Sequence, residues 1–299
     1  GCGRRVLTTP SYSAYVRISE GCDNRCTYCA IPLIRGPYRS RPLADVLGEV
    51  RHFAEQGVKE HILIAQDTTR YGTDWQEASM LPELMDQAAR IPGVEWLRVL
   101  YAYPDEADDR LLEVMASHDN ICKYLDLPIQ HINDTLLRRM NRRYDTARFL
   151  RSVALLRQYF LRPAITTDLI CGFPGETEEE FSQTLAFLRR CDFAQMHIFP
   201  YSIRPGTKAA EMEQVPGPVK EERAARASAV AAELHRAYLQ GCVGQTYPVL
   251  FEQRKDGCAA GHAPNYMPVE VQTQEDYHNT VRHVKITGVV NDILMGEVT

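Results

Sequence analysis

Residues 20–30, EGCDNRCTYCA, contain three cysteines, Cys22, Cys26 and Cys29, in the spacing C-x3-C-x2-C. A [4Fe–4S] cluster has four irons, so three cysteine ligands leave one iron free to bind a small chelating ligand. The preceding residues, 14–19, alternate as the residues of a strand do. The cysteine loop is therefore expected to follow the end of a strand, where barrel-type α/β enzymes build their active sites.

Two other interpretations of the cysteine spacing are open. A zinc site usually takes a fourth Cys or His and shows paired C-x2-C motifs, whereas no second pair is visible and His52 lies in the next predicted helix. A disulfide framework is typical of small secreted domains, and this chain is long and shows no secretory signal. The pattern favours an iron–sulfur cluster over both.

Composition points to a soluble globular protein. The 299 residues are 44% hydrophobic and 24% charged, enough to bury a sizeable core in one large domain or two domains. The net charge of −5 gives no overall basic character for binding nucleic acid. Nine cysteines fit a reducing cytosol, and no apolar run approaches the length of a membrane span. We expect a cytoplasmic protein.

Apolar periodicity predicts alternating strands and helices through a domain of residues 13–240. Strands are predicted at 14–19, 60–65, 96–101, 122–127, 164–170 and 195–200, and helices at 42–56, 81–90, 105–117, 132–140, 147–159, 177–190 and 219–239. This alternation predicts a parallel sheet with right-handed crossovers. Six such units predict an α/β fold that is a partial (β/α)6 barrel, with an open doubly wound sheet as the alternative.

The two ends of the chain differ from this pattern. Residues 1–12 are expected to be a linker at a truncated N-terminus, because GCG is an unusual beginning. Residues 241–299 contain short predicted strands at 247–251, 267–271, 281–288 and 293–298, separated by turn residues. They predict a second domain, a small all-β barrel.

Several segments resemble a known family. The cysteine spacing, with the aromatic Tyr28 before the last cysteine, resembles the radical S-adenosylmethionine superfamily. Residues 31–41, IPLIRGPYRSR, resemble its methylthiotransferase branch. Residues 261–268, GHAPNYMP, resemble the TRAM domain of that branch, an OB-like module that often holds RNA. The resemblance covers nearly the whole chain.

The resemblance implies the cofactors. Cys22, Cys26 and Cys29 would bind a [4Fe–4S] cluster whose open iron takes the amino and carboxylate groups of S-adenosylmethionine. Tyr28 would pack near the adenine, although it could also belong to the core. The cluster supplies the electron that cleaves the cofactor to methionine and a 5′-deoxyadenosyl radical.

Other candidate cofactor-binding residues follow the predicted strands. They are Gln66, Asp67 and Thr68 after the second strand, Gln130 after the fourth, and Thr167, Gly172 and Gly175 at the fifth strand and the helix that follows it. Glycines at this junction allow close backbone approach, although they often mark only a tight turn. Arg39 and Arg41 could bind a carboxylate or phosphate through the guanidinium fork, or be plain surface charges.

Different segments of the sequence resemble two branches of the family, which act on different substrates. Residues 64–72 and 122–131 resemble the RimO type, which acts on an aspartate of a small-subunit ribosomal protein. Residues 164–168, 196–201 and 265–267 resemble the MtaB type, which, like the MiaB type, acts on adenosine 37 of tRNA. From Gly241 onward there are four basic and seven acidic residues, which suits a basic ribosomal protein better than RNA. We expect the RimO type.

Methylthiotransferases also carry an N-terminal domain whose three cysteines bind a second cluster, and only Cys2 precedes the radical motif here. The chain is therefore expected to cleave S-adenosylmethionine without completing sulfur insertion. We expect a monomer that needs a reducing partner such as flavodoxin or ferredoxin and has no membrane partner. The non-enzymatic alternative is an RNA- or ribosome-binding module, which would have no need of the cysteine triad.

Overall fold

The computed structural model describes residues 10–255 and 257–299. Residues 1–9 of the expected linker, including Cys2, lie outside the described residues. The strands are β1 (Ser13–Arg17), β2 (Ser19–Glu20), β3 (Arg39–Ser40), β4 (Glu60–Ile64), β5 (Trp96–Val99), β6 (Tyr124–Asp126), β7 (Ala164–Cys171), β8 (Gln195–Pro200), β9 (Thr246–Lys255), β10 (Cys258–His262), β11 (Pro268–Gln272), β12 (Thr280–Val290) and β13 (Ile293–Val298). The helices are α1 (Ile31–Arg35), α2 (Leu43–Glu55), α3 (Leu81–Ala89), α4 (Asp109–Ser117), α5 (Asp134–Arg139), α6 (Thr146–Tyr159), α7 (Glu178–Cys191) and α8 (Gly217–Gln240).

Six parallel strands, in two sets of three, form the wall of the barrel that carries the cysteine loop. Strands β1, β4 and β5 pair in that order, and β6, β7 and β8 form a second parallel set. A parallel bridge between Leu97 and Ile121 joins the two sets where β5 meets the segment before β6. The strand order therefore follows the chain, and the predicted partial (β/α)6 barrel is confirmed.

Helices cover the outer face of this barrel because their apolar stripes point towards it. In α2 the buried side chains Val46, Val50 and Phe53 recur at helical spacing. The prediction for α4 was wrong at its start, which lies at Asp109 instead of residue 105. Asp108 caps the helix there, since its side chain accepts a hydrogen bond from the Leu111 N–H.

A closed five-stranded barrel follows α8. Its strand order is β10-β11-β13-β12-β9. The sequence prediction of four strands missed β10, because the small residues of Cys258–His262 show no alternation of apolar and polar side chains. Gly261 is required in β10, since a Cβ there would lie 2.1 Å from the Leu250 carbonyl oxygen.

The C-terminal barrel packs against the N-terminal ends of the parallel strands. Trp96 and Tyr124, the first residues of β5 and β6, share an apolar cluster with Val249 and Phe251 of β9. The cysteine loop lies at the opposite end, beyond the C-terminal ends of these strands. Among the described residues, no helix is both long and apolar enough to cross a membrane.

Candidate active site

A cavity of about 400 Å³ lies at the C-terminal ends of the parallel strands. The three cysteines lie in its wall together with residues from the loops that follow β4, β5, β6 and α5. The complete lining is Cys22, Asn24, Cys26, Tyr28, Cys29, Ile31, Ala65, Gln66, Asp67, Tyr101, Ala102, Tyr103, Pro128, Gln130, Arg142 and Asp168. The fold thus brings the cysteine motif to the mouth of the barrel, as its position after a strand predicts.

The cysteine loop begins at a glycine that no other residue can replace without movement. Gly21 has a φ of +79°, and a Cβ there would lie 2.1 Å from the carbonyl oxygen of Pro37. This close approach lets the Cys22 N–H donate to the Gly36 carbonyl at 3.2 Å. The antiparallel pair β2–β3 lies directly beside it and fixes the two ends of the segment that carries the cysteines.

A buried carboxylate ties the cysteine loop to the barrel. Asn24 donates from Nδ2 to Asp67 Oδ2 at 2.8 Å, and Thr69 donates to Asp67 Oδ1 at 2.6 Å. The Tyr38 hydroxyl donates to the backbone carbonyl of Asp67 at 3.1 Å. Asp67 therefore positions the loop and lines the cavity at the same time.

The segment between α5 and α6 holds the other side of the loop. The Thr27 N–H donates to the Met140 carbonyl at 3.0 Å, and the Thr27 hydroxyl donates to the Arg139 carbonyl at 2.8 Å. Asn141 Nδ2 donates to the carbonyls of Asn24 and Arg25 at 3.2 and 3.0 Å. The three cysteines are consequently held between two parts of the chain that lie far apart in sequence.

The donor set fits an iron–sulfur cluster. All three cysteines are free thiols that share one cavity. Burial raises the pKa of the Cys22 thiol to about 11 and also raises the pKa of Cys29. Since iron binds the thiolate, assembly of a cluster must displace these protons. Within residues 10–255 and 257–299, no three His, Cys, Asp or Glu side chains are grouped tightly enough to hold a single ion.

Four of the residues predicted from the sequence to bind the cofactor line this cavity: Tyr28, Gln66, Asp67 and Gln130. Tyr28 also packs against an apolar cluster that includes Met140 and Phe173, so it touches both the cavity and the core. Gln130 has a left-handed backbone, with a φ of +61°, which is uncommon for a residue other than glycine.

Other predicted residues lie outside the cavity lining and make structural contacts. Thr68 is buried and donates to the carbonyls of Leu100 and Tyr101 at 3.0 and 3.1 Å. Thr167 donates to the Leu127 carbonyl at 2.7 Å and accepts from the Ile129 N–H at 3.0 Å. Both threonines position the strand ends from which cavity residues project.

The predicted glycines and arginines are also placed away from the lining. A Cβ at Gly172 would lie 2.5 Å from Lys220 Cγ, and one at Gly175 would lie 2.2 Å from Arg139 Nη1. These glycines allow close packing of protein on protein. Arg41 donates to the Arg17 carbonyl and to Glu49, and Arg39 is exposed on β3.

Among the cavity residues with polar or aromatic side chains, sequence reasoning missed Asn24, Tyr101, Tyr103, Arg142 and Asp168. A usable signal existed for Tyr101 and Asp168, because they lie at or near the ends of predicted strands. Tyr101 also has a φ of +61°, as Gln130 does on the neighbouring loop. Arg142 carried no such signal, since it lies between two helices.

The cavity residue Asp168 and the buried Asp126 of β6 both have perturbed carboxyl groups. Burial, followed by the charge of Asp168, raises the pKa of Asp126 to about 7. Burial also raises the pKa of Asp168, whereas His197 and Arg142 act to lower it. A chain of hydroxyl groups reaches Asp126, since Tyr124 Oη lies 2.9 Å from Thr166 Oγ1, which donates to Asp126 Oδ1 at 3.3 Å.

The fold and the three-cysteine cavity define the class of protein. A family model described as the radical SAM superfamily, SAM being S-adenosylmethionine, matches residues 16–188, more than half of the chain. Among solved structures, the radical S-adenosylmethionine methyltransferase TsrM from Kitasatospora setae has a TM-score of 0.56 at 20% identity. The alignment covers 66% of this chain and 38% of that one. Methylornithine synthase has a TM-score of 0.50 at 12% identity, covering 74% of this chain and 63% of that one. At these identities the likeness is one of fold.

Curated relatives narrow the class. The ribosomal protein uS12 methylthiotransferase RimO of Alkaliphilus oremlandii is 42% identical over 98% of this chain and 69% of its own length. The enzyme of the same name from Clostridium kluyveri is 40% identical over 99% of this chain and 68% of its own length. The one from Desulforamulus reducens is 46% identical over 84% of this chain and 57% of its own length. This chain belongs to the RimO family of methylthiotransferases, and it spans between 57% and 69% of the length of these three relatives. The expectation of the RimO type over the MtaB type is confirmed at the level of the family.

Proposed function

We propose that this chain is the radical core of a methylthiotransferase that converts a C–H bond of an aspartate in ribosomal protein uS12 into C–SCH3. The observation that carries the proposal is the convergence of Cys22, Cys26 and Cys29 on one cavity at the barrel mouth. Identity of 40 to 46% to three RimO relatives supports the choice of substrate. The proposed division is a radical domain of residues 13–240 followed by a TRAM domain of residues 241–299.

The proposed cofactors are a [4Fe–4S] cluster and S-adenosylmethionine, as membership in the superfamily supports. Bound to the three cysteines, the cluster would keep one iron open for S-adenosylmethionine and supply the electron that cleaves it. The chain's own part is to hold the thiolates, orient the cofactor and exclude water.

Residues of the lining have proposed roles in holding S-adenosylmethionine. Gln66 and Gln130 follow β4 and β6 on the cavity wall, where their amide groups can donate to a carboxylate and accept from an amine. Asp168 adds a carboxyl group that can accept from ribose hydroxyls or an amine. Tyr28 offers an aromatic face beside the cysteines for stacking.

Anaerobic reconstitution tests the proposal. The chain should bind about four irons, as one cluster of this type requires, and should release 5′-deoxyadenosine from S-adenosylmethionine on reduction. The triple variant Cys22→Ala/Cys26→Ala/Cys29→Ala should do neither. Iron binding without release of 5′-deoxyadenosine would contradict the enzymatic proposal and favour a binding module.

The substrate is tested by comparing the two candidate substrates. Ribosomal subunits and bulk tRNA are incubated separately with the reconstituted chain, supplemented with the N-terminal third of a RimO relative to supply the second cluster. Mass spectrometry should find the methylthio group on uS12 and none on tRNA. The chain alone should release 5′-deoxyadenosine without methylthiolated product, and modified tRNA would overturn the assignment of substrate.

An acidic electron carrier such as flavodoxin or ferredoxin is the proposed reducing partner. Arg25 lies in the cysteine loop, and Arg138 and Arg139 end the helix α5, whose last backbone carbonyl accepts from Thr27 of that loop. All three are exposed, and within the described residues no carboxylate lies within 4.0 Å of their guanidinium groups. Three positive charges without ion-pair partners, on the cysteine loop and on the helix bonded to it, attract an acidic partner, and salt weakens that attraction.

Charge reversal tests this docking face. Arg138→Glu/Arg139→Glu should slow reduction by flavodoxin and make it less sensitive to salt, while reduction by dithionite stays unchanged. Arg236→Glu, on the exposed face of α8, is the matched control. An equal loss with both reductants would indicate a damaged cluster site and contradict the docking proposal.

A further inference from the structure

Arg142 places a positive charge against one of the three cysteines. Its Nη1 lies 3.5 Å from Cys26 Sγ, within hydrogen-bond distance for a sulfur acceptor. Arg142 follows α5, 116 residues after Cys26 in sequence, and lines the same cavity as the cysteines. The cavity that holds the three cysteines therefore also contains a guanidinium group directed at one of them.

The guanidinium is fixed from several directions. Its Nη2 donates to the Pro128 carbonyl at 3.0 Å, and its Nε donates to the Tyr144 hydroxyl at 3.2 Å. Its central carbon lies 4.4 Å from the ring centre of Tyr103 and 5.0 Å from that of Tyr144. These contacts restrain the side chain, so the distance to Cys26 does not depend on a freely moving arginine.

Among the described residues Arg142 has no direct ion-pair partner, although its charge acts to lower the pKa values of Asp67 and Asp168, which burial raises and which line the same cavity. In the part of the chain that the structure describes, no carboxylate lies within ion-pair distance of its guanidinium. The neighbours that hold it are a backbone carbonyl and a tyrosine hydroxyl, both uncharged in this setting. Of Cys26, Asp67 and Asp168, Cys26 is the one in direct contact with the guanidinium, so the positive charge acts at closest range on Cys26 and on whatever that thiolate binds.

We infer that Arg142 raises the reduction potential of the cluster through its hydrogen bond and charge at Cys26. Reduction adds one electron to a cluster held by three thiolates, taking it from the 2+ to the 1+ state. A nearby cation and a hydrogen bond to a ligand sulfur stabilise the more negative form. The electron comes from an external low-potential one-electron donor, and no bond of the chain is broken. The inference rests on the proposed function, since it requires the cluster.

The reduction potential tests the inference directly. Wild type, Arg142→Gln and Arg142→Lys are reconstituted and titrated with a reductant in the absence of S-adenosylmethionine, and the 1+ cluster is followed by electron paramagnetic resonance. Arg142→Gln should shift the potential to more negative values, because it removes the charge. Arg142→Lys should shift it less, because the charge remains while the planar fork is lost. Arg143→Met, an exposed neighbour, should leave the potential unchanged.

The outcomes separate this inference from the function on which it rests. A wild-type chain that assembles no cluster would overturn the proposed function and this inference with it. A cluster with the same potential in wild type and Arg142→Gln would overturn the inference alone. Weaker binding of S-adenosylmethionine by Arg142→Gln at an unchanged potential would also overturn it, and would assign the guanidinium to the cofactor's carboxylate. If Arg142→Gln does not fold, Arg142→Met decides by the same criterion.

Discussion

Tyr101 and Gln130 show how single residues of the cavity are held in conformations that the chain would not otherwise adopt. Each has a φ of +61°, and each follows a strand whose end faces the cysteines. A left-handed backbone at a bulky residue is costly and persists only where surrounding contacts enforce it. The Tyr101 carbonyl accepts from both the N–H and the hydroxyl of Thr68, which supplies part of that enforcement.

The raised pKa of Asp126 leads to a prediction for stability against pH. Its folded pKa of about 7 exceeds its ordinary value of 3.8, so the folded chain binds more protons than the unfolded chain between these values. Stability from this group therefore falls as pH rises, by about 1–2 kcal/mol between pH 5.5 and 7. Urea unfolding should show this fall in wild type and a flatter profile in Asp126→Asn. Glu113→Gln, on the exposed side of α4, should keep the wild-type profile, and parallel profiles for all three proteins would contradict the prediction.

The structure also shows which parts of the site the sequence could specify. The spacing of the cysteines is local, so their chemistry could be predicted from one short stretch. Arg142 could not, because its contact with Cys26 depends on the hydrogen bonds that fix the segment between α5 and α6 to the cysteine loop. Asp67 was predicted to bind the cofactor, while its bond to Asn24 emerges only once two loops meet.

The helices and strands also differ in whether local sequence or distant contacts determine them. Thr177 and Glu180 form the predicted capping box of α7, with both reciprocal hydrogen bonds present. Apolar patterns predicted the helices α2 to α8 and the six parallel strands, most of which are buried on both faces. They missed α1, in which no residue is buried. The sequence prediction missed β10, since its place in the C-terminal barrel depends on neighbouring strands and on Gly261, which lets the Leu250 carbonyl approach closely.

The loop that carries the cysteines depends on the close approach at Gly21. Gly21→Ala would place a Cβ 2.1 Å from the Pro37 carbonyl oxygen, so the β2–β3 pair or the loop must move. Gly57→Ala is the matched control, because Gly57 has a similar φ of +86° and open space around its Cα. Each variant should lose about 1–2 kcal/mol from the left-handed backbone. Gly21→Ala alone should lose most of its bound iron, measured after anaerobic reconstitution, and equal iron content in the two variants would refute the argument.

At the scale of the whole molecule, a buried polar network connects the two barrels. Arg98 of β5 donates to Glu60 at 2.7 Å and to the Pro264 carbonyl at 2.8 Å, and its guanidinium lies 4.0 Å from the ring centre of Tyr266. His262 of β10 lies 2.7 Å from Glu60 and also pairs with Glu252. Burial alone would raise the pKa of Glu60, but Arg98 and His262 lower it to about 2, so the carboxylate stays charged. The C-terminal barrel therefore closes the end of the parallel barrel opposite the cavity.

This network should make the two barrels unfold together. Arg98→Met would leave the buried Glu60 with His262 alone to balance its charge, which should cost about 3–5 kcal/mol and separate the unfolding of the C-terminal barrel from that of the parallel barrel. The double variant Glu60→Gln/Arg98→Met should recover much of the loss, because it removes the buried negative charge while the introduced amide can still bond to His262. Calorimetry with urea titration measures both effects. A double variant as unstable as Arg98→Met would contradict this explanation. The destabilisation would then come from the lost packing of Arg98 on Tyr266 and Tyr124 and not from the buried charge of Glu60.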